Sequence, residues 1–252
     1  MGVIGGYVGY KLLKSISEDG LTSWMDGSAY QQTSKLDVLL GSDFVNTIKG
    51  KTVIDFGCGT GAEAVEMAQR GAAKVIGIDI HQGNLEAARI LAERAGVSDL
   101  CTFATSTDER ADVIVSIDAF EHFEDPLAIL QIMRGLVKTD GRVVAAFGPT
   151  WYHPLGGHTL SVFPWSHFVF TEKALLRWRN SFGSTAINRT RFSDEGLNQM
   201  TIGRFERLIA SSPFQFAELN LIPIRKLRPF ANRFTREVTT SVVRCTLVPG
   251  ED

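Results

Sequence analysis

Apolar and polar positions along the chain switch repeatedly between a period of two and a period near three and a half. Val53-Ile54-Asp55-Phe56 is a β-branched and aromatic run, too short for a helix and stopped by glycine, so it predicts a buried strand. From Ala62 to Arg70, Ala64, Val65 and Ala68 recur at helical spacing before Gly71 closes the run. Lys74 to Ile78 reads as a second strand with Asp79 at its carboxyl end. A helix follows over Asn84 to Ala95, with Leu85, Ala88, Leu91 and Ala92 on one face. Leu100 to Ala104 and Ala111 to Ile117 are the third and fourth strands. Pro126 to Val137 is a helix with proline in its first turn, and Arg142 to Phe147 a fifth strand after an Asp140-Gly141 turn. Alternating strands and helices imply an α/β fold, a parallel sheet covered on both faces.

The rhythm breaks at Gly148. From there to about Phe170 the chain is rich in Pro, Gly, His and aromatics without clean periodicity, until Thr171 caps a helix through Lys173, Ala174, Leu175 and Trp178. A short helix near Thr201 to Ala210 then precedes strands over Phe214 to Ile224 and Thr239 to Val248. The stretch between Gly148 and Met200 is therefore an insertion rather than another strand-helix repeat.

Composition narrows the class. With 252 residues, 44% hydrophobic and 21% charged, the chain buries a full core and is most simply one elaborated domain, and its formal charge of −2 gives no global reason to expect nucleic acid. Cys58, Cys101 and Cys245 are odd in number and widely spaced, which indicates neither a disulfide framework nor a cysteine zinc site and suits a reducing cytoplasm. The opening MGVIGGYVGYKLL is apolar too briefly for a spanning helix and has no basic stretch before it, so no secretory signal or stable membrane anchor is expected, and packing or fraying of this end is favoured over membrane contact.

The chemistry concentrates between Asp55 and Asp79. Gly57, Gly59 and Gly61 alternate with Cys58 and Thr60 between a strand and a helix, a G-x-G-x-G spacing distinct from the G-x-G-x-x-G of dinucleotide sites. Glycines allow close backbone approach to a ligand, and an acid ending the second strand can accept hydrogen bonds from ribose hydroxyls. Asp55 would repel a pyrophosphate and attract a cation. An adenosine carrying an amino group or a sulfonium suits both acids.

These residues, with Glu121-His122-Phe123-Glu124-Asp125-Pro126 downstream, resemble the class I S-adenosylmethionine-dependent methyltransferases. The resemblance covers residues 50 to 148 by motif and the final helix and strands by order. It implies a Rossmann-like sheet of seven strands in the order 3-2-1-4-5-7-6 with the last antiparallel, and S-adenosylmethionine as cofactor. It also implies an N-terminal helical segment over 1–50, a cofactor-binding core over 51–148, an acceptor-side insertion or lid over 149–200, and a closing helix and hairpin over 201–252. By resemblance Gly57, Cys58, Gly59 and Gly61 border the methionine part, Asp55 helps position its amino-acid end, and Asp79 with Ile80 takes the ribose side. Asp118, ending the fourth strand, completes the cofactor set. The segment after the third strand is short; either Asp108 or the Ser106-Thr107 pair takes the adenine-facing role, or Asp108 is simply a solvated turn acid.

Methyl transfer needs alignment and exclusion of water, and a base only for an acceptor such as a hydroxyl. His122, His153, His158 and His167 fall between the fourth strand and the end of the aromatic stretch, and the first three are candidates for a base or an acceptor-orienting group. The Glu-His pair is common among methyltransferases of varied chemistry, which favours a structural or cofactor-loop role for His122. His167 reads as helix-entry packing or capping, and His81 as lining the ribose or adenine edge or facing solvent. Asp118, Glu121 and His122 with a later histidine would also suit a divalent metal, as in the similar E-x-x-E-H pattern of small-RNA 2′-O-methyltransferases and some quinone-pathway O-methyltransferases. The generic Glu-His reading outweighs it, and no metal is expected. Trp151, Tyr152, Phe163, Pro164, Trp165, Phe168 and Phe170 suggest an apolar cleft for a small organic acceptor, shared with simple lid packing. Arg177, Arg179, Arg189, Arg191, Arg225, Lys226 and Arg228 offer counter-charges for an anionic acceptor or solvated faces. Expected is thus a small-molecule methyltransferase, O-methylation slightly favoured, with a non-catalytic S-adenosylmethionine-binding protein as the alternative.

Overall fold

The computed structural model describes residues 2–17, 33–182 and 190–250. Seven strands, β1 (Thr52–Phe56), β2 (Lys74–Ile78), β3 (Cys101–Ala104), β4 (Ala111–Ile117), β5 (Val137–Phe147), β6 (Phe214–Pro223) and β7 (Thr240–Pro249), form one sheet ordered β3-β2-β1-β4-β5-β7-β6. Only β7 runs against its neighbours. The helices are α1 (Gly6–Ile16), α2 (Lys35–Leu40), α3 (Phe44–Ile48), α4 (Ala62–Gln69), α5 (Gln82–Arg94), α6 (Pro126–Leu136), α7 (Ser166–Val169), α8 (Glu172–Asn180), α9 (Ile202–Ala210) and α10 (Arg236–Thr239).

The two-residue period of the strands splits the core into two layers. Val53, Val113, Val115 and Ile117 join Leu36, Leu39, Phe44, Met67 and Leu85 on one face. Ile54, Ile114, Ala145 and Phe147 join Phe120, Leu130, Met133 and Phe205 on the other. A third cluster, Leu13, Trp151, Leu160, Phe170, Leu175, Trp178 and Phe192, holds the insertion together and ties α1 to it. The N-terminal glycine run is packed there: Val3 and Ile4 donate backbone hydrogen bonds to Val169 O, and a Cβ on Gly2 would stand 2.0 Å from Phe170 O.

One boundary differs from the periodicity. β5 begins at Val137, five residues early, because Ala111 pairs with Val137 while Val113 pairs with Arg142. Lys138 to Gly141 are absorbed as an irregularity inside the strand. Gly141 is squeezed there, since a Cβ would approach Val137 Cγ2 to 2.7 Å and Asp112 O to 2.9 Å. Among the described residues no helix is long and apolar enough to cross a membrane.

Candidate active site

The parallel strands β1, β2 and β4 end side by side, and the site is built on the turns that leave them. After β1, the amides of Gly57 and Cys58 donate to Ile78 O (2.8 and 3.0 Å), and Gly59 N donates to Asp79 Oδ2 at 2.9 Å. This fold-back requires left-handed backbone, with φ of +86° at Gly57, +51° at Gly59 and +80° at Gly61. The three glycines have different neighbours. A Cβ on Gly59 would meet nothing within 4 Å, so its face is open to a ligand. On Gly61 it would strike Ala88 at 2.6 Å, so this glycine lets α4 lie against α5. Cys58 is buried with its Sγ turned toward Gly77 and Phe103 on β2 and β3, and burial pushes its thiol pKa well up.

An acidic cluster lies beside the loop. Asp55 is 3% exposed and its Oδ2 has no hydrogen-bond partner; burial, then the charge of Glu63, raises its pKa to about 8. Asp118 ends β4 with a strained φ of +49°, and the ammonium of Lys35 reaches its Oδ2 at 2.9 Å and Glu63 at 3.5 Å. Burial works against the charged lysine, but the charges of Asp118 and Glu63 outweigh it and hold its pKa above the ordinary value. Among the described residues one cation thus answers three acids, leaving a site that favours a second positive group. Nothing in the sequence marks Lys35. It arrives through the fold of α2, whose Ser34 cap and buried Leu36, Leu39 and Leu40 set its position.

Asp79 is both brace and wall. Its Oδ1 accepts from His81 N (2.8 Å) and Asn84 Nδ2 (3.3 Å) and lies 3.2 Å from His81 Nδ1, so the acceptor capacity left is on Oδ2, which takes only Gly59 N. It lines a cleft of about 1380 Å³ together with Gly57, Ile80, His81, Thr105, Ser106 and Thr107. Asp108 is exposed and outside that wall, so the Ser106-Thr107 pair faces the cleft.

The turn after β4 sets the other wall. Phe120 is fully buried against Phe147 (5.9 Å) and Phe205 (5.4 Å), which turns Glu121 inward and His122 outward. Asn198 fastens the end of the insertion to this turn, its Nδ2 donating to Phe120 O (2.6 Å) and Phe123 O (2.9 Å). Glu121 accepts weakly from Gly148 N at 3.4 Å, leaves Oε2 unpartnered, and is pushed by burial to a pKa of about 8. His122 bonds Gly196 O through Nδ1 at 2.8 Å. A carbonyl only accepts, so Nδ1 carries a proton, and in the neutral ring Nε2 keeps the lone pair.

Of the three candidate histidines only His122 lines the cleft. His158 packs behind it, rings 5.6 Å apart, donating Nε2–H to Pro149 O at 3.1 Å; His153 accepts from Leu155 N at 2.9 Å through Nδ1. Burial pushes both down to about 4, so both are neutral. His167 likewise falls to about 4 on burial and donates to Trp151 O, the packing role expected of it. The six insertion aromatics and Pro164 also stand outside the cleft wall: Trp151 meets His167 and Phe192, Tyr152 stacks on Phe168, and Phe163 meets Phe170. Phe192, Leu197 and Phe123 take the apolar lining instead, with Arg191 beside them. Arg177 stacks over Tyr10 at 4.8 Å, and Arg189 lies outside the described residues. Among the described residues no three His, Cys, Asp or Glu side chains are grouped to hold a metal.

A methyltransferase-domain family model matches residues 48–148, the stretch that carries the glycine loop, Asp79 and His122. Those residues form a class I S-adenosylmethionine-dependent methyltransferase domain. The chain is 37% identical over 130 residues to a ubiquinone biosynthesis O-methyltransferase of Neisseria meningitidis, covering 48% of this chain and 55% of that protein. It is 40% identical over 109 residues to a ribosomal protein L11 methyltransferase of Photobacterium profundum, covering 43% and 36%. The chain thus spans about half or less of the length of these curated relatives. Geranyl diphosphate C-methyltransferase from Streptomyces coelicolor shares the fold at a TM-score of 0.57 and 14% identity, over 86% of this chain and 80% of that one. A methyltransferase from Mesorhizobium loti shares it at 0.52 and 16%, over 80% and 92%. S-adenosylmethionine is the cofactor of such a domain, and the residues present fit it: an open glycine face at Gly59, an orphaned buried carboxylate at Asp55, and acids that outnumber their one cation.

Proposed function

We propose that the protein is a cytoplasmic enzyme that methylates a hydroxyl of a small, largely apolar acceptor. The observation that carries this reading is His122, whose Nδ1 is committed to Gly196 O while the residue lines the same cleft as the glycine loop and Asp79. S-adenosylmethionine, when bound, supplies an electrophilic methyl group on a sulfonium. Asp79 and Ile80 hold the ribose side, Ser106 and Thr107 the adenine side. Asp55, Asp118 and Lys35 hold the zwitterionic end, the acids toward the amino group and the lysine toward the carboxylate. Phe123, Phe192 and Leu197 orient the acceptor and keep water away from the reacting atoms. His122 Nε2 would take the hydroxyl proton while the oxygen bonds to the methyl carbon and the carbon–sulfur bond breaks, the sulfonium leaving as a neutral thioether.

An acceptor with an acidic phenolic hydroxyl suits an imidazole base. The O-methyltransferase relative supports an oxygen acceptor, and the apolar lining supports a small one over a protein side chain. The test is turnover of S-adenosylmethionine against a panel of phenols and catechols, with the methylated atom read by mass spectrometry. Methylation of a phenolic oxygen is expected; exclusive methylation of nitrogen or of a ribosomal protein would replace this reading.

A further inference from the structure

The connection between β6 and β7 carries a surface that the methyl-transfer site does not use. Residues 225–236, RKLRPFANRFTR, contain five cationic side chains and no acid, in a chain whose net charge is −2. Arg236 is spent on Glu206, two parallel contacts at 2.5 Å, and Glu237 caps α9 through the amides of Ile202 and Gly203. These contacts clamp the far end of the connection to the body of the protein. Arg225, Lys226, Arg228 and Arg233 are exposed and enter no ion pair among the described residues.

Two phenylalanines stand among those cations. Phe230 is 65% and Phe234 81% exposed, with Pro229, Ala231 and Val238 exposed around them. A single exposed apolar side chain is ordinary, but a built one is not. The turn beneath them is fully stitched. Asn232 Oδ1 accepts from Phe234 N at 2.8 Å, Thr235 Oγ1 donates to Phe230 O at 2.6 Å, and Asn232 N donates to Thr235 Oγ1 at 3.0 Å. Polar side chains thus fix the backbone that holds both rings outward, and the Arg233 guanidinium sits 4.5 Å from the Phe234 ring centre. The placement also has meaning. Pro223 pairs with Thr240 and Phe147 with Val243, so the connection leaves the sheet at the end where β5 stops, the edge on which the cleft opens.

We propose that residues 225–234 are a peripheral docking surface for an anionic lipid membrane. Four free cations complement the negative headgroup layer, and two aromatic rings with their aliphatic neighbours enter the boundary of the acyl region. Such binding is reversible, and it brings the cleft mouth close to a layer where apolar acceptors concentrate. A nucleic acid would also answer the cations. It would not use Pro229, Ala231 and Val238, and one face of Phe234 is already covered by Arg233.

The experiment is co-sedimentation of the full chain with phosphatidylcholine vesicles, with and without phosphatidylglycerol, at two salt concentrations. Binding is expected only with phosphatidylglycerol and should weaken with salt. Replacing Arg225, Lys226, Arg228 and Arg233 together by glutamine should lower the partition coefficient about a thousandfold, at roughly a kilocalorie per mole per cation. Phe230→Ser with Phe234→Ser should also release the protein, while S-adenosylmethionine affinity stays normal in both variants, showing that they fold. Equal binding to neutral vesicles, no binding to either, or wild-type binding by both variants would overturn the proposal. So would a single-stranded oligonucleotide that strips the protein from the vesicles and whose own binding the same variants abolish.

Discussion

The cofactor wall and the insertion are built on opposite plans. Between β1 and Asp118 the backbone does the work: left-handed glycines, a strained aspartate, and acids kept close together by one lysine. In the insertion the side chains do it, with neutral histidines sewn to carbonyls and rings packed edge to face. The first plan leaves polar capacity unspent, at Asp55 Oδ2 and on the open face of Gly59. The second spends its rings and backbone bonds on holding a shape, and among the polar atoms it leaves unpartnered, Thr150 Oγ1, Ser161 Oγ and His167 Nδ1 belong to residues outside the cleft wall. His122 stands where the two plans meet, its ring tied to the insertion and its free nitrogen left to the cleft.

If that division holds, the largest effect of any single change falls at the junction. His122→Ala should lower turnover on the order of a hundredfold or more, the contribution of a general base, with cofactor affinity unchanged. Normal turnover would remove His122 from the chemistry. Asp79→Ala comes next, losing ribose contacts together with its bond to Gly59, and should weaken S-adenosylmethionine binding about a hundredfold by calorimetry. Lys35→Met should cost about tenfold in the same titration, since it removes one charged hydrogen bond and leaves Asp118 and Glu63 unanswered. An unchanged affinity would show that the lysine is a surface pair only.

The pH dependences separate the two regions further. The raised pKa of Asp55 leaves it protonated below about 8, and an arriving cation favours its charged form. Cofactor affinity should therefore rise severalfold with pH toward 8 and then level, with a proton released that buffers of different ionisation enthalpy reveal; a flat profile would contradict the assignment. In the insertion the sign is reversed. His153, His158 and His167 have folded pKa values near 4, below the unfolded 6.5, so the stability they carry is present above 6.5 and lost as pH falls to 4. Hydrogen exchange should show residues 150–180 opening first on acidification. A simultaneous, uniform loss of protection would show that these histidines are not the weak point.

The same contrast decides what was legible in the sequence. β2 and β4 are read residue for residue, because a buried parallel strand is a short apolar run between glycines and acids, and Thr171 and Thr201 announce their helices as caps. The glycine loop is legible as a ligand loop, but the packing role of Gly61 against Ala88 depends on a helix that folds back from elsewhere. In the insertion, periodicity carries no information, so the aromatics that look like an acceptor pocket turn out to be packed on one another. Phe192, which does line the cleft, carries no distinguishing pattern. Asn198 and Lys35 are single polar residues in unremarkable surroundings, and only tertiary contacts give them roles.

The most direct test of the account is calorimetric titration of S-adenosylmethionine, and separately of NAD, into the wild-type protein and Asp79→Ala. The account predicts a saturable S-adenosylmethionine isotherm in the wild type, about a hundredfold weaker in the variant, and no heat with NAD. Binding of NAD, or S-adenosylmethionine binding that ignores the loss of Asp79, would contradict it.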